Sequence, residues 1–469
     1  MQPSMFNLRV PLKARDEVFL MNTLTDAQFI VSPDVAALLD RAGAGDERVT
    51  LDDFGADERE AMDLLCDNGF LVQDRQTERR ALDRFFAGVK SDTAELNITV
   101  LTTLQCNFAC DYCFQGDHGD YNKFAEKMTL ETAARVGDWI EREMDRVRPE
   151  RFVLMFFGGE PLLNLPVMYY LAERAWRAAE ARGIPMNSTI ITNGLLLTPE
   201  VVDRLQPYGL SGIKITLDGD REAHNRMRPL RGGQGTFDRI VENIGRVAGR
   251  VRIAIGGNFD ESTVDSYPAL LDFLKEQDFA DKLVKVNFKP VISNGPIARK
   301  GVVPLIPVNL DGKPLGGTCM TSVGAGGSVC DSCGFADDKM SFLREETKRH
   351  GFPTPDGVHN GPCHVHHDNA RTIGPDGSLY ACPGFTGELA LSTGHIDGRV
   401  DPLRDRARRQ FDELSPWMEC GDCAFIPVCA GGCVTASHTQ LGDMNLPTCH
   451  KPAFESALIS LAHDVASAA

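Results

Sequence analysis

The hydrophobic and polar positions divide the chain into three textures. In residues 6–86 the stretch NLRVPLKARDEVFLMN alternates like a hairpin, PDVAALLDRA and ADEREAMDLL have helical spacing, and GFLV is a short apolar run. That order predicts a small winged-helix-like domain over residues 1–90, from which a charged helix, TERRALDRFFAG, leads onward. Between residues 96 and 291 the apolar runs LNITVLTT, RFVLMFF, NSTIITN, GIKITLD, RIAIGGNF and KVNFKPV alternate with amphipathic stretches such as LETAARVGDWIEREMDRV and FDRIVENIGRVAG. Six strand–helix repeats predict an α/β fold with a parallel sheet, a partial (β/α)6 barrel over residues 91–310, whose chemistry belongs at the carboxyl ends of its strands. Past residue 296 glycine and proline rise, helical periodicity fades and cysteines gather. Residues 311–450 are therefore expected to form a bridging region and a cysteine-rich, loop-rich domain stapled by ligation, closed by a C-terminal helix over 451–469.

Charge and composition narrow the function. With 66 acidic against 49 basic residues and a net charge of −17, the 469-residue chain would repel nucleic acid and anionic membranes. The opening MQPSMFNLRVPLK lacks a signal peptide's apolar core, and no apolar run has the length of a membrane helix, so a cytoplasmic location is expected. Fourteen cysteines in such a chain call for metal or cluster ligation rather than disulfides. Cys66, beside Leu64 and Leu65 in an amphipathic helix, reads as core.

The segment CNFACDYC follows the first barrel strand and sets Cys106, Cys110 and Cys113 in CxxxCxxC spacing. Three thiolates leave one iron of a four-iron cluster open to a substrate or cofactor; a zinc site completed by His118 is the alternative. FGGEP follows the second strand, ITNG the third and TLDGDREAHNRMR the fourth. On these motifs the middle third resembles the radical S-adenosylmethionine superfamily. The resemblance implies that Gly158, Gly159 and Glu160 receive the methionine amino group, that Thr216 and Arg228 contact the carboxylate and ribose end, and that Tyr112 lies along the adenine. Asn193 is a further candidate; for Asn193 and Asp218 ordinary Asn-Gly and Asp-Gly turn chemistry is the alternative. The implied reaction is reductive cleavage of the sulfonium to a 5′-deoxyadenosyl radical, which abstracts hydrogen from an unactivated carbon.

A second array comprises Cys363, Cys382, Cys420, Cys423, Cys429, Cys433 and Cys449. A zinc ribbon of Cys420, Cys423, Cys429 and Cys433 would leave three of these unexplained. In order and spacing the array resembles the SPASM extension, which implies an outer auxiliary cluster on Cys420, Cys423, Cys429 and Cys449 and an inner one on Cys363, Cys382 and Cys433. Residues 364–381 contain no further cysteine, so the inner set has an open iron or a ligand from elsewhere, with His364, His366 and His367 near in sequence. Cys319, Cys330 and Cys333 are extra to the signature: they could complete the inner cluster, bind another or act as thiols, and the CDSC spacing favours ligation. The expected cofactors are thus three 4Fe-4S clusters and S-adenosylmethionine.

The resemblance to the peptide-modifying branch implies a precursor peptide whose leader adds a strand to the N-terminal domain, a low-potential donor such as a flavodoxin or ferredoxin, and a thioether, carbon–carbon or related modification. One rival is a sulfatase-type formylglycine maturase, in which an aspartate serving as base follows the extension's second cysteine; here Pro383 follows Cys382. Others are an enzyme of small metabolites, or an iron-sulfur scaffold without catalysis.

Overall fold

The computed structural model describes residues 1–43, 50, 53–113, 115, 125–292, 331–359, 361–399 and 401–468, with the side chains of 57 and 331–336 left out. In the N-terminal unit β1 (Gln2–Pro3) pairs with β5 (Leu71–Val72), and β2 (Asn7–Leu12), β3 (Glu17–Asn22) and β4 (Ala27–Val31) form an antiparallel meander. The third strand was not foreseen in the sequence, where only the hairpin stood out. Strand β3 is buried on both sides. Its Leu20 packs with Leu38 and Leu39 of α1 (Pro33–Gly43) and Met62 of α2 (Ala56–Asp67), while Phe19 and Met21 face the far end of the chain. Helix α3 (Arg75–Ser91) is tied in by Glu78, 2% exposed, which accepts from Ser4 Oγ at 2.5 Å, Met5 N at 2.9 Å and Arg75 Nη1 at 2.6 Å.

Strands β6 (Glu95–Leu101), β7 (Arg151–Phe157), β8 (Met186–Thr192), β9 (Leu210–Thr216), β10 (Arg252–Phe259) and β11 (Leu283–Pro290) are parallel and neighbour one another in chain order. Alternation sends Ile98, Leu154, Ile190, Ile215, Ile255 and Val286 into one core under α4 (Leu130–Val147), α5 (Leu165–Ala181), α6 (Pro199–Leu205), α7 (Arg221–Met227), α8 (Phe237–Val247) and α9 (Tyr267–Lys275), leaving the intervening side chains in the lumen. Helix α4 has the bounds its periodicity predicts. Thr129 caps it by accepting from Thr132 N at 3.1 Å, and Arg148, at φ 50°, turns the chain out of it.

The C-terminal third is more regular than its sequence suggests. Helix α10 (Asp331–Arg349) lies against α9 and β11, where helical periodicity fades in the sequence. It packs on α14 as well, Leu343 and Met340 join the barrel core, and Lys339–Asp265 at 3.1 Å and Lys348–Asp464 at 2.6 Å pair on its surface, with His350 just past its end meeting Asp272 at 3.0 Å. Strand β12 (Ala370–Ile373) pairs parallel with β6, and β13 (Ser378–Tyr380) and β14 (Gly394–His395) follow antiparallel, giving one open nine-stranded sheet. Helix α11 (Pro402–Asp412), capped by Asp401, precedes two single turns, α12 (Ile426–Cys429) and α13 (Val434–Ala436). The last helix, α14 (Lys451–Ala468), lays Leu458, Leu461 and Ala462 on Val10, Phe19 and Met21, joining the two ends of the chain. No helix among the described residues is long and apolar enough to cross a membrane.

Phe86 of α3 stacks on Trp417 at 3.7 Å between ring centroids and joins Ile426 and Ala430 in a small core. Phe86→Ala should therefore cost about 3 kcal/mol, the usual scale for an aromatic truncated in a core. Differential scanning calorimetry of the variant against the wild type checks this; an unchanged melting midpoint would remove the stack from any role in joining the N-terminal unit to the cysteine-rich third.

Candidate active site

The cysteine loop leaves the carboxyl end of β6 and is fixed by backbone packing. Gly158 (φ 143°) and Gly159 follow β7 so closely against it that a Cβ on Gly158 would lie 2.3 Å from Thr103 O, and one on Gly159 2.3 Å from Gln105 O. Hydrogen bonds run across the same gap, Gly159 N to Thr103 O at 2.9 Å and Glu160 N to Gln105 O at 2.8 Å. The glycines the sequence singled out thus admit the backbone of the cysteine loop. On its other side the loop is held by Ala109 N donating to Pro229 O at 2.9 Å and Arg231 Nε to Cys106 O at 2.9 Å.

Glu160 is fully buried, and its carboxylate accepts from Leu162 N at 3.0 Å, Thr192 Oγ1 at 2.7 Å and Asn193 N at 2.8 Å. Burial pushes its carboxyl up, and these donors counter that. Asn193 in turn donates from Nδ2 to Asn107 Oδ1 at 2.8 Å and accepts Leu195 N at 3.0 Å. Turn chemistry and site bracing therefore coincide at Asn193, and Asn107 joins the site unforeseen.

Across the opening, Asp218 is fully buried and accepts from Tyr112 Oη, from Asn258 N at 2.6 Å and from Arg228 Nη1 at 3.4 Å; Arg228 also donates to Tyr112 Oη. Burial pushes the Tyr112 phenol up, and the guanidinium opposes it. His224 accepts Asp218 N on Nδ1 at 3.1 Å and meets Thr236 Oγ1 at 3.0 Å; burial, then Arg228, drives it down to about 3, so it is a neutral brace. Thr216 ends β9 beside Gly256. The Asp-Gly signature that made Asp218 look like a turn conceals the buried acceptor of this cluster, and Asn258 had no signal of its own.

Cys106, Cys110 and Cys113 come together here. Burial pushes the Cys106 thiol up to about 12, with Glu160, Cys110 and Cys113 adding to it despite a hydrogen bond from Phe108 N. Burial likewise raises Cys110 to about 11, with Arg228 opposing and Cys113 adding. His118 lies outside the described residues, as do Cys319, Cys330 and the side chain of Cys333.

The second array separates into two sets. The Cys429 thiol is raised to about 12 by burial and then by Cys420, Cys449 and Cys423. Cys382 is raised to about 11 by burial, with Cys363 and Cys433 adding and hydrogen bonds from Thr435 and Gly384 opposing. Residues 430–432 all have positive φ, 50°, 84° and 97°, a reversal that turns Cys429 toward one set and Cys433 toward the other. Cys433 therefore does not join Cys420, Cys423 and Cys429 as a zinc ribbon would need. Among the described residues no three His, Cys, Asp or Glu side chains are placed to hold a single metal ion. His366 packs edge-on to Trp417 and, with Phe86, Lys90 and Arg371, lines a cavity of about 280 Å³; burial, then His367, drives it down to about 4.

Two substitutions test this geometry. Asp218→Asn strips the partner from a buried guanidinium and should cost about 3–5 kcal/mol, read as a lower midpoint of thermal unfolding. Gly159→Ala should lower iron content after anaerobic reconstitution, because the new methyl displaces the Gln105 carbonyl next to Cys106; iron at the wild-type level would mean that this contact does not position the loop.

Residues 100–266 match the Radical SAM superfamily model. An Fe-coproporphyrin III synthase from Methanosarcina barkeri is 28% identical over 178 residues, 37% of this chain and 40% of the relative's own length. A serine-type anaerobic sulfatase-maturating enzyme from Bacteroides thetaiotaomicron is 22% identical over 72% of this chain and 82% of its own. The fold is also that of anSMEcpe, solved with bound AdoMet (TM-score 0.56, 18% identity, 79% of this chain and 99% of that one) and again with AdoMet and the Cp18Cys peptide (TM-score 0.53, 19% identity, 79% and 99%). The chain is an enzyme that carries, over residues 100–266, a Radical SAM domain.

Proposed function

We propose that the protein is a radical SAM peptide maturase, with the Cys106, Cys110 and Cys113 thiols holding its radical-generating cluster and the two separated sets of the second array holding auxiliary clusters. A Radical SAM domain implies a 4Fe-4S cluster and S-adenosylmethionine. The residues present fit both groups: three converging thiols form one donor set, and beside them the buried Arg228 Nε has no hydrogen-bond partner among the described residues. When bound, these groups supply reductive cleavage of a sulfonium and hydrogen abstraction.

In this reading the chain's own residues position and exclude. Glu160 and Asn193 brace the loops around the cofactor, and Tyr112, Thr216 and Arg228 line its far side, with Asp218 holding Tyr112 and Arg228 in place. Cys363, Cys382 and Cys433 form the inner auxiliary set, and Cys420, Cys423, Cys429 and Cys449 the outer one. Cys319, Cys330 and Cys333 are assigned to ligation on the CDSC spacing alone, with no partner set named for them. Residues 1–90 serve as the leader-binding unit, residues 91–310 as the catalytic barrel, 311–450 as the bridging and auxiliary-cluster region and 451–469 as the closing helix, in a cytoplasmic enzyme fed by a flavodoxin- or ferredoxin-like donor.

The observation that carries the peptide reading is β4. It ends a three-stranded sheet with no strand on its outer side among the described residues, an edge open to β-augmentation. A neighbour of the same fold solved with a peptide supports it. The sulfatase-maturating relative favours formylglycine formation as a second reading. Against it, Cys382 caps a turn that begins at Pro383, where that reaction's base would stand.

Two outcomes are expected. Wild-type protein, reconstituted without oxygen and given S-adenosylmethionine and dithionite, forms 5′-deoxyadenosine, and the Cys106→Ala, Cys110→Ala, Cys113→Ala triple variant forms none; equal yields would refute the radical assignment. A precursor peptide from a neighbouring reading frame slows hydrogen–deuterium exchange in Ala27–Val31, and unchanged exchange there with peptide bound elsewhere would move the leader site off β4.

A further inference from the structure

The lumen face of β9, β10 and β11 is basic, a reversal of the chain's overall charge of −17. Register places Lys214, Ala254 and Lys285 in one row across the three strands; Thr216, Gly256 and Asn287 form the next, followed by Asn258 and Lys289. The alternate residues Ile215, Ile255, Val286 and Phe288 are buried under the helices, so the three lysines share the opposite face and reach solvent through the lumen, Lys214 with its ammonium partly enclosed by the barrel. Gly256 leaves room for one of them. A Cβ there would lie 2.4 Å from Lys214 Cε and 3.2 Å from its Nζ, so the Lys214 stem runs over residue 256 toward the carboxyl end of the sheet.

Toward that end Lys214 and Lys289 each come within electrostatic reach of one thiol site. Asp218, beneath the Tyr112 and Arg228 cluster, acts on Lys214, and Lys289 acts on the thiol of Cys363. Among the described residues the lysine ion pairs fall on Lys90, Lys339, Lys348 and Lys451, and none on Lys214, Lys285 or Lys289. The carboxylate of Asp218 is already taken by Tyr112, Asn258 and Arg228. Desolvation of its ammonium within the barrel, the largest cause, followed by Lys289 and Lys285, drives Lys214 down to about 8, with Asp218 opposing. An anion entering the lumen would relieve that repulsion.

Resting on the peptide reading above, we propose that Lys214, Lys285 and Lys289 bind a carboxylate of the substrate, so that the peptide segment entering the barrel carries an aspartate or glutamate beside its reacting carbon. Separated ammonium groups suit such a carboxylate, each acting as a point donor that can turn toward it.

Competitive acylation of the wild-type enzyme, reconstituted and loaded with S-adenosylmethionine, tests the site. The protein is treated with limiting N-acetoxysuccinimide and mapped lysine by lysine by mass spectrometry, with acetyl-Gly-Glu-Gly-amide, its Gln counterpart, glutarate or inorganic phosphate present. The glutamyl probe, at about twice its dissociation constant, should slow acylation of Lys214 and Lys289 about threefold, as occupancy requires, while the glutaminyl probe leaves both unchanged. Protection by glutarate but not by the glutamyl peptide keeps the carboxylate site and makes the source a small metabolite, which sinks the peptide reading alone. Equal protection by the glutaminyl probe, protection by phosphate only, or none by any probe overturns the proposal. Nucleoside formation without probe, measured on the same preparation, scores the radical reading separately.

Discussion

Two carbonyl oxygens, those of Thr103 and Gln105, lie where side chains on residues 158 and 159 would have to be, and the carboxyl end of the barrel is arranged around that contact. The glycines let the loop after β7 lie directly on the loop after β6, which carries the three cysteines. Glu160 then follows at a fixed height and ties Thr192 and Asn193 at the end of β8 to the same platform. Asn193 returns the link to Asn107 within the cysteine loop. Three strand ends are thus locked by short-range hydrogen bonds in a buried setting, where an unmatched donor or acceptor costs about 1–3 kcal/mol. Such rigidity suits the radical chemistry proposed for this site, where misplacing a reactive carbon by a fraction of an ångström would change which hydrogen is nearest.

The second thiol array is joined to the barrel by its backbone. Strand β12 pairs with β6, the strand that launches the loop of Cys106, Cys110 and Cys113, and β13 leads within two residues to Cys382. One sheet therefore carries both the Cys106 set and the first part of the array. The rest is clamped by the N-terminal unit, through Phe86 on Trp417 and through α14 on the β2–β3 face. The chain ends meet on the region with the least regular structure of its own, which supplies apolar cover that its loops lack.

Much of this was legible in the sequence where the signal is local. RFVLMFF and RIAIGGNF are strands with the bounds their apolar runs suggest, and α4 starts and stops at its cap and its left-handed residue. Spacing alone did not determine how the second array of thiols is arranged: Cys429 lies near Cys420, Cys423 and Cys449, whereas Cys433, only four positions on, lies near Cys363 and Cys382, far away in the chain. What was not legible depends on distant partners. Strand β12 is four residues long and finds its neighbour more than two hundred and fifty positions earlier, at residues 97–100. Helix α10 shows a weak apolar stripe in its sequence because its buried side is narrow, with Leu343 and Met340 at the barrel core, while its charged residues pair with two other segments. Asp218 bears a turn signature, and only the arrival of Tyr112 and Arg228 makes it a buried acceptor. The lysines could have been found: they occupy the inward positions of GIKITLD and KVNFKPV, where a sealed barrel would place small or apolar residues.

The left-handed run at residues 430–432 has a consequence for both thiol sets. Cys429 and Cys433 are separated by only those three residues, yet they serve different thiol sets, and the carbonyl of Thr448, beside Cys449, packs against Gly432. The reversal turns the chain between Cys429 and Cys433, so the direction of one thiol constrains the direction of the other. The tight bend therefore acts as a mechanical coupling: a change in the backbone at residues 430–432 would swing both thiols at once.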